Sequence, residues 1–311
     1  MADARWFFGD EGLLLAEGAR VYFAGVLPPG LQSPAMHVYL SVDIEGIAGV
    51  VHADQARRTG HDYERARMWM TAEASAAISG AFAGGATAVL INDSHGDMRN
   101  LILEQLDHRA ELITGSLKPM SMVEGVAAAH GCALFVGYHA GAGSRAGILD
   151  HTYNGRVIAR CRVGGRDWNE TAINAAVCGA SGVPVALVTG DQTACAQARE
   201  HLGDVETVAV KDAVSRHAAR TLHPTVACER VREGARRAVE RALIGDFKPF
   251  RPPLPLDLKI EFVNAACADA AELVPHTRRT GGLTCTYRAD DPPTLLRVIQ
   301  AWATLASTTI V

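Results

Sequence analysis

The sequence predicts an α/β fold, in which a mostly parallel, doubly wound sheet is followed by a second, smaller α+β domain at the C-terminal end. Short, continuous apolar segments alternate with helical segments over residues 37–191. Such strands are apolar along their whole length because helices cover both faces of a parallel sheet. Residues 192–311 are less regular and include a Pro-rich connector at 248–257. We therefore expect one domain over 37–191 and another over 192–311.

Each predicted element has a local signal in the sequence. The helix over residues 62–83 begins at Asp62, a favoured capping residue, and stops at Gly84 and Gly85. The last helix, over 292–307, begins with prolines, which suit a first helical turn. The predicted strands cover residues 37–43, 87–93, 111–115, 133–139, 183–191, 258–264 and 283–290. The other predicted helices cover residues 122–130, 168–180, 193–202 and 226–245.

Residues 1–36 differ from the rest of the chain. They contain the stretch LPPGLQSPA, which is typical of a linker, and Met36 directly precedes the first strand. We interpret residues 1–36 as an N-terminal extension that is either disordered or the product of an upstream choice of start site.

The composition argues against several classes of function. The 311 residues carry a formal net charge of −4, and only 6% are aromatic. Neither property favours nucleic acid or an anionic membrane as a partner. No apolar run approaches the roughly 20 residues of a membrane span, and the first residues lack the basic start of a secretory signal. Seven cysteines without a CxxC pair indicate reduced thiols, so we expect a cytoplasmic protein.

Several predicted strands end in residues that can bind metals. The first strand ends at Asp43, and Glu45 follows two positions later. Residues two apart in an extended chain point to the same side, so both carboxylates project from one strand end. His95 follows the second strand, and His139 ends a later one. In an open α/β sheet this carboxyl edge is where ligands bind.

Glu170, near the start of a helix, completes a set of five candidate metal ligands: Asp43, Glu45, His95, His139 and Glu170. Carboxylate oxygens and imidazole nitrogens suit zinc, manganese or iron. Five side chains exceed the three protein ligands of a single catalytic zinc, so two metals that share one carboxylate are the simplest interpretation. Such a pair can activate water and polarise a carbonyl during amide hydrolysis. Taken singly, the carboxylates could cap a turn, and each histidine could be a hydrogen-bonded structural residue.

The chain resembles the DppA-type D-aminopeptidases, a family of binuclear zinc peptidases. The resemblance covers residues 37–311 and leaves out the first 36. Its motifs are SVDIEGIAGV (41–50), NDSHGDMRN (92–100), LKPMSMVEG (117–125), FVGYHAGAG (135–143), DHTYNG (150–155) and NETAINAAVCG (169–179). Several separate motifs in the right order make the resemblance specific.

The resemblance implies roles for individual residues. The zinc ligands are the five residues already named, and Asp43 is the bridge between two zinc ions. His151, in the motif DHTYNG, is the base or the nucleophile of the reaction. Asp93 either orients a ligand histidine or is a plain turn residue.

The resemblance also implies an activity and an assembly. By this resemblance, residues 37–191 are expected to form the metal-binding catalytic domain and residues 192–311 an oligomerisation domain. The expected enzyme removes the N-terminal residue from short peptides, above all D-amino acid peptides such as D-Ala-D-Ala, and forms a ring-like homo-oligomer of ten subunits. Two alternatives stay open: another metal-dependent amide or nucleoside hydrolase on the same kind of sheet, and a non-catalytic protein that binds peptide or metal.

Overall fold

The computed structural model describes residues 35–310 and three short strands nearer the N-terminus. These strands are β1 (Phe7–Phe8), β2 (Leu14–Ala16) and β3 (Ala19–Val21), which pair antiparallel in a unit of their own, Met1–Ala35. The other residues of the predicted extension before Ala35 lie outside the described residues. The second unit, Met36–Val311, contains every other element.

A seven-stranded sheet forms the centre of this second unit. Its strands are β4 (His37–Val42), β5 (Ala88–Asp93), β6 (Ala110–Ile113), β7 (His130–Tyr138), β10 (Val185–Asp191), β11 (Glu206–Ser215) and β12 (Ala218–Thr221). They lie in the order β12-β11-β10-β7-β4-β5-β6, and every pair except β11–β12 is parallel. The chain proceeds outward from β4 through β5 and β6, then returns to the other side of β4 with β7. The point where strand order reverses therefore lies beside β4, which is where open α/β sheets bind ligands.

Helices cover both faces of this sheet, as the continuous apolar strands require. The described helices are α1 (Ala53–Ala56), α2 (Tyr63–Ala83), α3 (Glu170–Ala180), α4 (Gln192–Leu202), α5 (Pro224–Leu243), α6 (Ala265–Glu272) and α7 (Pro292–Ser307). Helices α2 and α5 pack together in one core with Leu40 and Leu134 of the strands. Tyr39 and Phe135, on the opposite face, pack in a second core with α3.

A second, antiparallel sheet shares the core of α3. Its strands are β8 (Ile158–Val163), β9 (Arg166–Asp167), β13 (Leu256–Phe262), β14 (Arg278–Gly281) and β15 (Thr284–Ala289), in the order β14-β15-β13-β8-β9. Residues of β13 alternate between buried and exposed, so only one face of this sheet meets the core. That face packs with α6 and α7, which contributes the buried Trp302.

These two sheets confirm the predicted fold class, a mostly parallel main sheet with a second, smaller α+β part. The predicted strands and helices are confirmed to within a few residues, with one exception. Residues 122–130 do not form the expected helix: a single 3-10 turn over Ser121–Val123 is followed by Gly125 at a φ of 85°. A left-handed residue at this point breaks the helical path. Asp62 does occupy the cap position of α2, but its side chain makes no capping hydrogen bond.

Each sheet draws strands from both sides of residue 191. Strands β11 and β12 extend the main sheet, and β8 and β9 belong to the antiparallel sheet. The division into 37–191 and 192–311, and the oligomerisation role of the second part, stay predictions. All seven cysteines are free thiols, as expected. No helix among the described residues is long and apolar enough to cross a membrane. Cytoplasmic location also stays a prediction.

Candidate metal centre

The ends of β4 and β7 approach each other so closely that only glycine fits. Asp43 donates its backbone N–H to the Val136 carbonyl at 2.8 Å. A Cβ on Gly46 would lie 2.1 Å from the Tyr138 carbonyl oxygen, and one on Gly137 would lie 2.2 Å from that of Asp43. Gly137 also has a φ of 71°, which side chains other than glycine rarely adopt. These contacts explain the glycines in DIEG and VGYH, and they fix the loop that carries the first two candidate ligands.

Asp43 lies between two histidines at this edge. Its Oδ1 is 3.1 Å from His95 Nδ1, and its Oδ2 is 3.5 Å from His139 Nε2. Glu45 Oε2 approaches the same His95 nitrogen at 3.0 Å, and Glu170 Oε1 approaches His139 Nε2 at 3.3 Å. Each histidine thus faces a pair of carboxylates, and Asp43 belongs to both pairs.

His151 joins this arrangement from the loop before β8. Its ring stacks on that of His139, with centroids 4.0 Å apart and planes 9° from parallel. Its Nε2 lies 3.7 Å from Glu170 Oε1, which also accepts the Tyr153 backbone N–H at 2.6 Å. The structure therefore brings together the five candidate metal ligands and His151.

Each of the three histidines uses its other ring nitrogen on a backbone carbonyl. The pairs are His95 Nε2 with Ala56 O at 2.6 Å, His139 Nδ1 with Ala140 O at 3.0 Å, and His151 Nδ1 with Leu149 O at 2.8 Å. Metal-binding histidines typically donate their second N–H in this way, which fixes the tautomer and the ring orientation.

The donor atoms fit a metal in their burial as well as in their chemistry. Asp43 Oδ2, Glu45 Oε2 and His139 Nε2 are buried, and none of their close contacts with described residues has the geometry of a hydrogen bond. Asp43, Glu45 and His139 each offer a ligand atom within 4.8 Å of the other two, and the same holds for His139, His151 and Glu170. Because buried polar atoms without partners are costly, a cation is the natural complement of these two groups.

Burial and mutual contact shift the pKa values of these residues in opposite directions. Burial raises the pKa of Asp43 to about 7, and the neighbouring Glu45 adds to the rise. Burial disfavours protonated His139, but the Glu170 carboxylate outweighs this and raises the pKa of His139 to about 10. Burial lowers the pKa of His151, and the adjacent His139 lowers it further. Perturbed groups clustered at the ligand edge of a sheet are typical of functional sites.

Asp93 has the second of its two expected roles. Its carboxylate accepts the backbone N–H groups of Asn100 and Leu101 at 2.5 and 2.7 Å, and the Asn100 side-chain amide at 2.7 Å. It therefore holds the loop after β5. The ring of His95 is oriented instead by Ala56 and by the carboxylates that it faces.

Two buried charges that the sequence did not reveal hold the loop after β4. Lys211 Nζ, from β11, donates to the carbonyls of Glu45, Ile47 and Val50 at 2.6, 2.7 and 2.6 Å. Glu73, from α2, accepts the Ala48 N–H at 2.8 Å. A lysine or glutamate inside a regular element carries no motif that could have indicated these contacts.

Two cavities open onto the site. One, of about 300 Å³, is lined by Asp43, His151 and Glu170 and by residues of α7, and we call it the α7 cavity. The other, of about 740 Å³, is lined by Glu45 and His151 together with four arginines, and we call it the arginine cavity. The four arginines are Arg57, Arg58, Arg156 and Arg216. His95 and His151 border both cavities, so a substrate can reach them from either side.

Fold and site together define an α/β protein whose ligand-binding edge carries carboxylates and histidines arranged as metal ligands are. The D-aminopeptidase family matches residues 36–301 of the chain. The chain belongs to this family.

Individual relatives agree with this assignment. The chain is 40% identical over 273 residues to a D-aminopeptidase of Bacillus subtilis (strain 168), across 86% of this chain and 95% of the relative. It is also similar to the solved structure of the zinc-dependent D-aminopeptidase DppA from Bacillus subtilis, described as a self-compartmentalizing protease. That match has a TM-score of 0.83 and 37% identity, and it covers 89% of this chain and 100% of the other. The predicted family and the predicted class, an aminopeptidase of the hydrolases, are confirmed.

Proposed function

We propose that this protein is a zinc-dependent aminopeptidase that binds two zinc ions per subunit. The proposed ligands are Asp43, Glu45, His95, His139 and Glu170. The observation that carries the proposal is the position of Asp43, whose two oxygens face His95 on one side and His139 on the other. A carboxylate shared in this way suits two neighbouring metals, one near Glu45 and His95 and one near His139 and Glu170.

Zinc, when bound, supplies positive charge that polarises a carbonyl and favours ionisation of water. The protein contributes the geometry around it. Ala56 and Ala140 hold the rings of His95 and His139 through their carbonyls, and Lys211 holds the loop that carries Asp43 and Glu45. Ligands fixed before binding need little reorganisation, which favours both metal affinity and reaction.

His151 is the proposed base or nucleophile. Its Nδ1 is held by the Leu149 carbonyl, so its Nε2 is the nitrogen available to a substrate. Its lowered pKa leaves the imidazole neutral at neutral pH, the form that can accept a proton or attack a carbonyl. Its position at the border of both cavities allows it to reach a bound peptide.

The proposed substrates are short peptides with an N-terminal D-residue, such as D-Ala-D-Ala. The relatives named D-aminopeptidase support this chirality. The description of one as self-compartmentalizing supports a closed homo-oligomer, and we propose a ring of ten subunits.

The test is release of free alanine from D-Ala-D-Ala and from L-Ala-L-Ala, with and without a chelator and restored zinc. We expect zinc-dependent cleavage of the D-peptide only. Cleavage of the L-peptide alone would support a peptidase activity but would contradict the proposed preference for an N-terminal D-residue. Release from neither, by protein shown to contain zinc, would contradict the proposal and favour a different amide or nucleoside substrate, or a binding role.

Variants test the two residue roles separately. His151→Ala should lose turnover by about 1,000-fold or more and keep its zinc, because removing a base or nucleophile leaves the ligands in place. Asp43→Ala should lose both zinc ions, as measured by metal analysis of the purified protein. Loss of zinc from His151→Ala would identify His151 as a ligand instead.

A further inference from the structure

Lys118 is a buried lysine beside the candidate metal centre that none of the proposed roles uses. Its side chain is almost fully buried, with 6% of the residue exposed. Its Nζ donates to Asn92 Oδ1 at 2.5 Å and to the Asp93 carbonyl oxygen at 2.6 Å. Both acceptors are neutral, so the ammonium has two hydrogen bonds and a third N–H to spare.

The two nearby carboxylates are engaged with other donors. Asp93 accepts backbone and side-chain N–H groups from the loop at Asn100, and Glu124 accepts the Met120 N–H at 2.7 Å. Within residues 35–310, Lys118 forms no ion pair. The charges of Asp93 and Glu124 favour the ammonium, but burial outweighs them and lowers the pKa of Lys118 to about 8. A bound anion would add the compensation that these two carboxylates do not supply.

Lys118 lines the α7 cavity, the same cavity that Asp43, His95, His151 and Glu170 border. Residues of α7 form another part of its wall, among them Gln300 and Thr304. Of the residues that line this cavity, Lys118 is the one lysine or arginine; the histidines belong to the metal centre. An anionic group bound here would therefore lie in the same cavity as the reacting centre.

We infer that Lys118 binds the C-terminal carboxylate of the peptide and so restricts the enzyme to very short substrates. This inference rests on the proposed peptidase function. Lys118 and four residues of the metal centre line one cavity of only about 300 Å³. A dipeptide whose amine and scissile bond lie at the metal centre can therefore direct its carboxylate toward Lys118 within this cavity.

The arginine cavity offers the competing location for this carboxylate. Its four arginines are all exposed, and two of them are already paired, Arg58 with Asp97 at 3.2 Å and Arg216 with Asp150 at 2.8 Å. Exposed charges in contact with water gain little from a further partner. The buried Lys118 gains more, because its charge is better shielded from solvent and forms no ion pair with a carboxylate in residues 35–310.

The test compares D-Ala-D-Ala with its C-terminal amide, D-alanyl-D-alaninamide, in the zinc-loaded enzyme. We expect kcat/KM for the free acid to exceed that for the amide by about 10- to 100-fold, the size expected of one charge-assisted hydrogen bond in a buried site. In Lys118→Met this ratio should fall close to one. In Lys118→Gln the ratio should also fall close to one, although the glutamine still offers N–H donors to Asn92 and Asp93.

The ratio is measured within each variant, so a lower folded fraction does not change it. Lys259→Met, which removes an exposed lysine on β13, is the matched control and should keep the ratio of the unchanged enzyme. An unchanged ratio in both Lys118 variants would overturn the inference. Loss of the ratio in Arg156→Met, with Lys118→Met unaffected, would assign the carboxylate to the arginine cavity.

Binding without turnover separates this inference from the proposed function. Calorimetry on His151→Ala and on His151→Ala/Lys118→Met compares the affinity for the acid and for the amide. We expect the preference for the acid in the first protein and its loss in the second. No hydrolysis by the wild-type enzyme would contradict the proposed function alone, whereas equal acid preference in both proteins would contradict the carboxylate site.

Discussion

Two regions of the molecule bury different kinds of side chain. They are the carboxyl edge of the main sheet and the layer formed by the antiparallel sheet with α6 and α7. At the edge, charged atoms of Asp43, Glu45 and His139 are buried without hydrogen-bond partners. In the antiparallel layer, the buried side chains are apolar, as in Ile260 and Trp302. Charged residues of this layer such as Arg160 and Asp167 are exposed and form ion pairs.

This difference indicates how stability and function are divided in the molecule. Apolar burial stabilises the folded protein whether or not a ligand is bound. Buried charges cost free energy unless a ligand or a fixed partner compensates them. The antiparallel layer should therefore respond to substitutions mainly in stability, and the edge mainly in metal binding and pH dependence.

The largest change in stability is expected for Trp302→Ala in the antiparallel layer. Trp302 is fully buried between the rings of Phe262 and Tyr287, and its Nε1 donates to Thr277 Oγ1 at 3.0 Å. Removal of such a side chain costs about 3–5 kcal/mol of unfolding free energy. Urea unfolding measures it, with the exposed Arg297→Ala on the same helix as control. A loss of unfolding free energy below about 1 kcal/mol would show that apolar burial in this layer contributes little to stability.

Lys211→Met should destabilise the protein somewhat less but should also weaken zinc binding. The substitution leaves three buried carbonyls without their donor, at a cost of about 2–4 kcal/mol. Because the freed loop carries Asp43 and Glu45, we expect zinc affinity to fall about 10- to 100-fold. Competition with a chromophoric chelator measures the affinity, and Lys248→Met, at an exposed site, is the control. Unchanged zinc affinity would mean that Lys211 serves stability alone.

Glu73→Gln tests the pH dependence of the edge. Burial raises the pKa of Glu73 from 4.5 to about 7, although the Ala48 N–H and the charge of Lys211 oppose the rise. The folded state therefore binds more protons than the unfolded state between these values, and stability falls as pH increases through that window. The Gln variant should lack this fall and gain up to about 3 kcal/mol relative to wild type between pH 4.5 and 8. A difference that is constant with pH would refute the assignment.

Asp167→Ala in the antiparallel sheet should have the smallest effect. Asp167 pairs with Arg160 at 2.6 Å and with Arg162 at 3.0 Å, but all three side chains are largely in contact with solvent. Exposed ion pairs contribute little and are screened by salt. We expect the unfolding midpoint to change least among the four variants, and the small difference from wild type to shrink further when salt is added. A change in the unfolding midpoint as large as that of Glu73→Gln would show that charges in the two regions contribute equally to stability.

Much of the fold could be predicted because the parallel strands are apolar along their length. Strands β4, β7 and β10 are buried over most of their residues, and this pattern is visible in the sequence. Strands β8 and β11 were not predicted because buried, half-buried and exposed residues follow one another irregularly along them, and β12 was not predicted because it has no buried residue. The false helix at 122–130 has the composition of a helix, and the backbone at Gly125 decides against it.

The candidate site was predictable where residues follow strand ends. Asp43, His95 and His139 could be grouped because parallel strands end at a common edge. Lys118, Glu73 and Lys211 could not be found in this way, since each reaches its partners through a long side chain from a different element. Such contacts depend on the packing of elements that are distant in sequence, which residue spacing does not encode.

The contact between Lys211 and the loop after β4 joins residues up to 166 positions apart. The first two candidate ligands are therefore made early in synthesis, but one of the side chains that hold their loop comes from a strand made much later. A fragment that ends at residue 191 contains every proposed ligand and lacks the anchor of their loop. The metal centre is therefore not a transferable module, because its complete support includes a residue of β11.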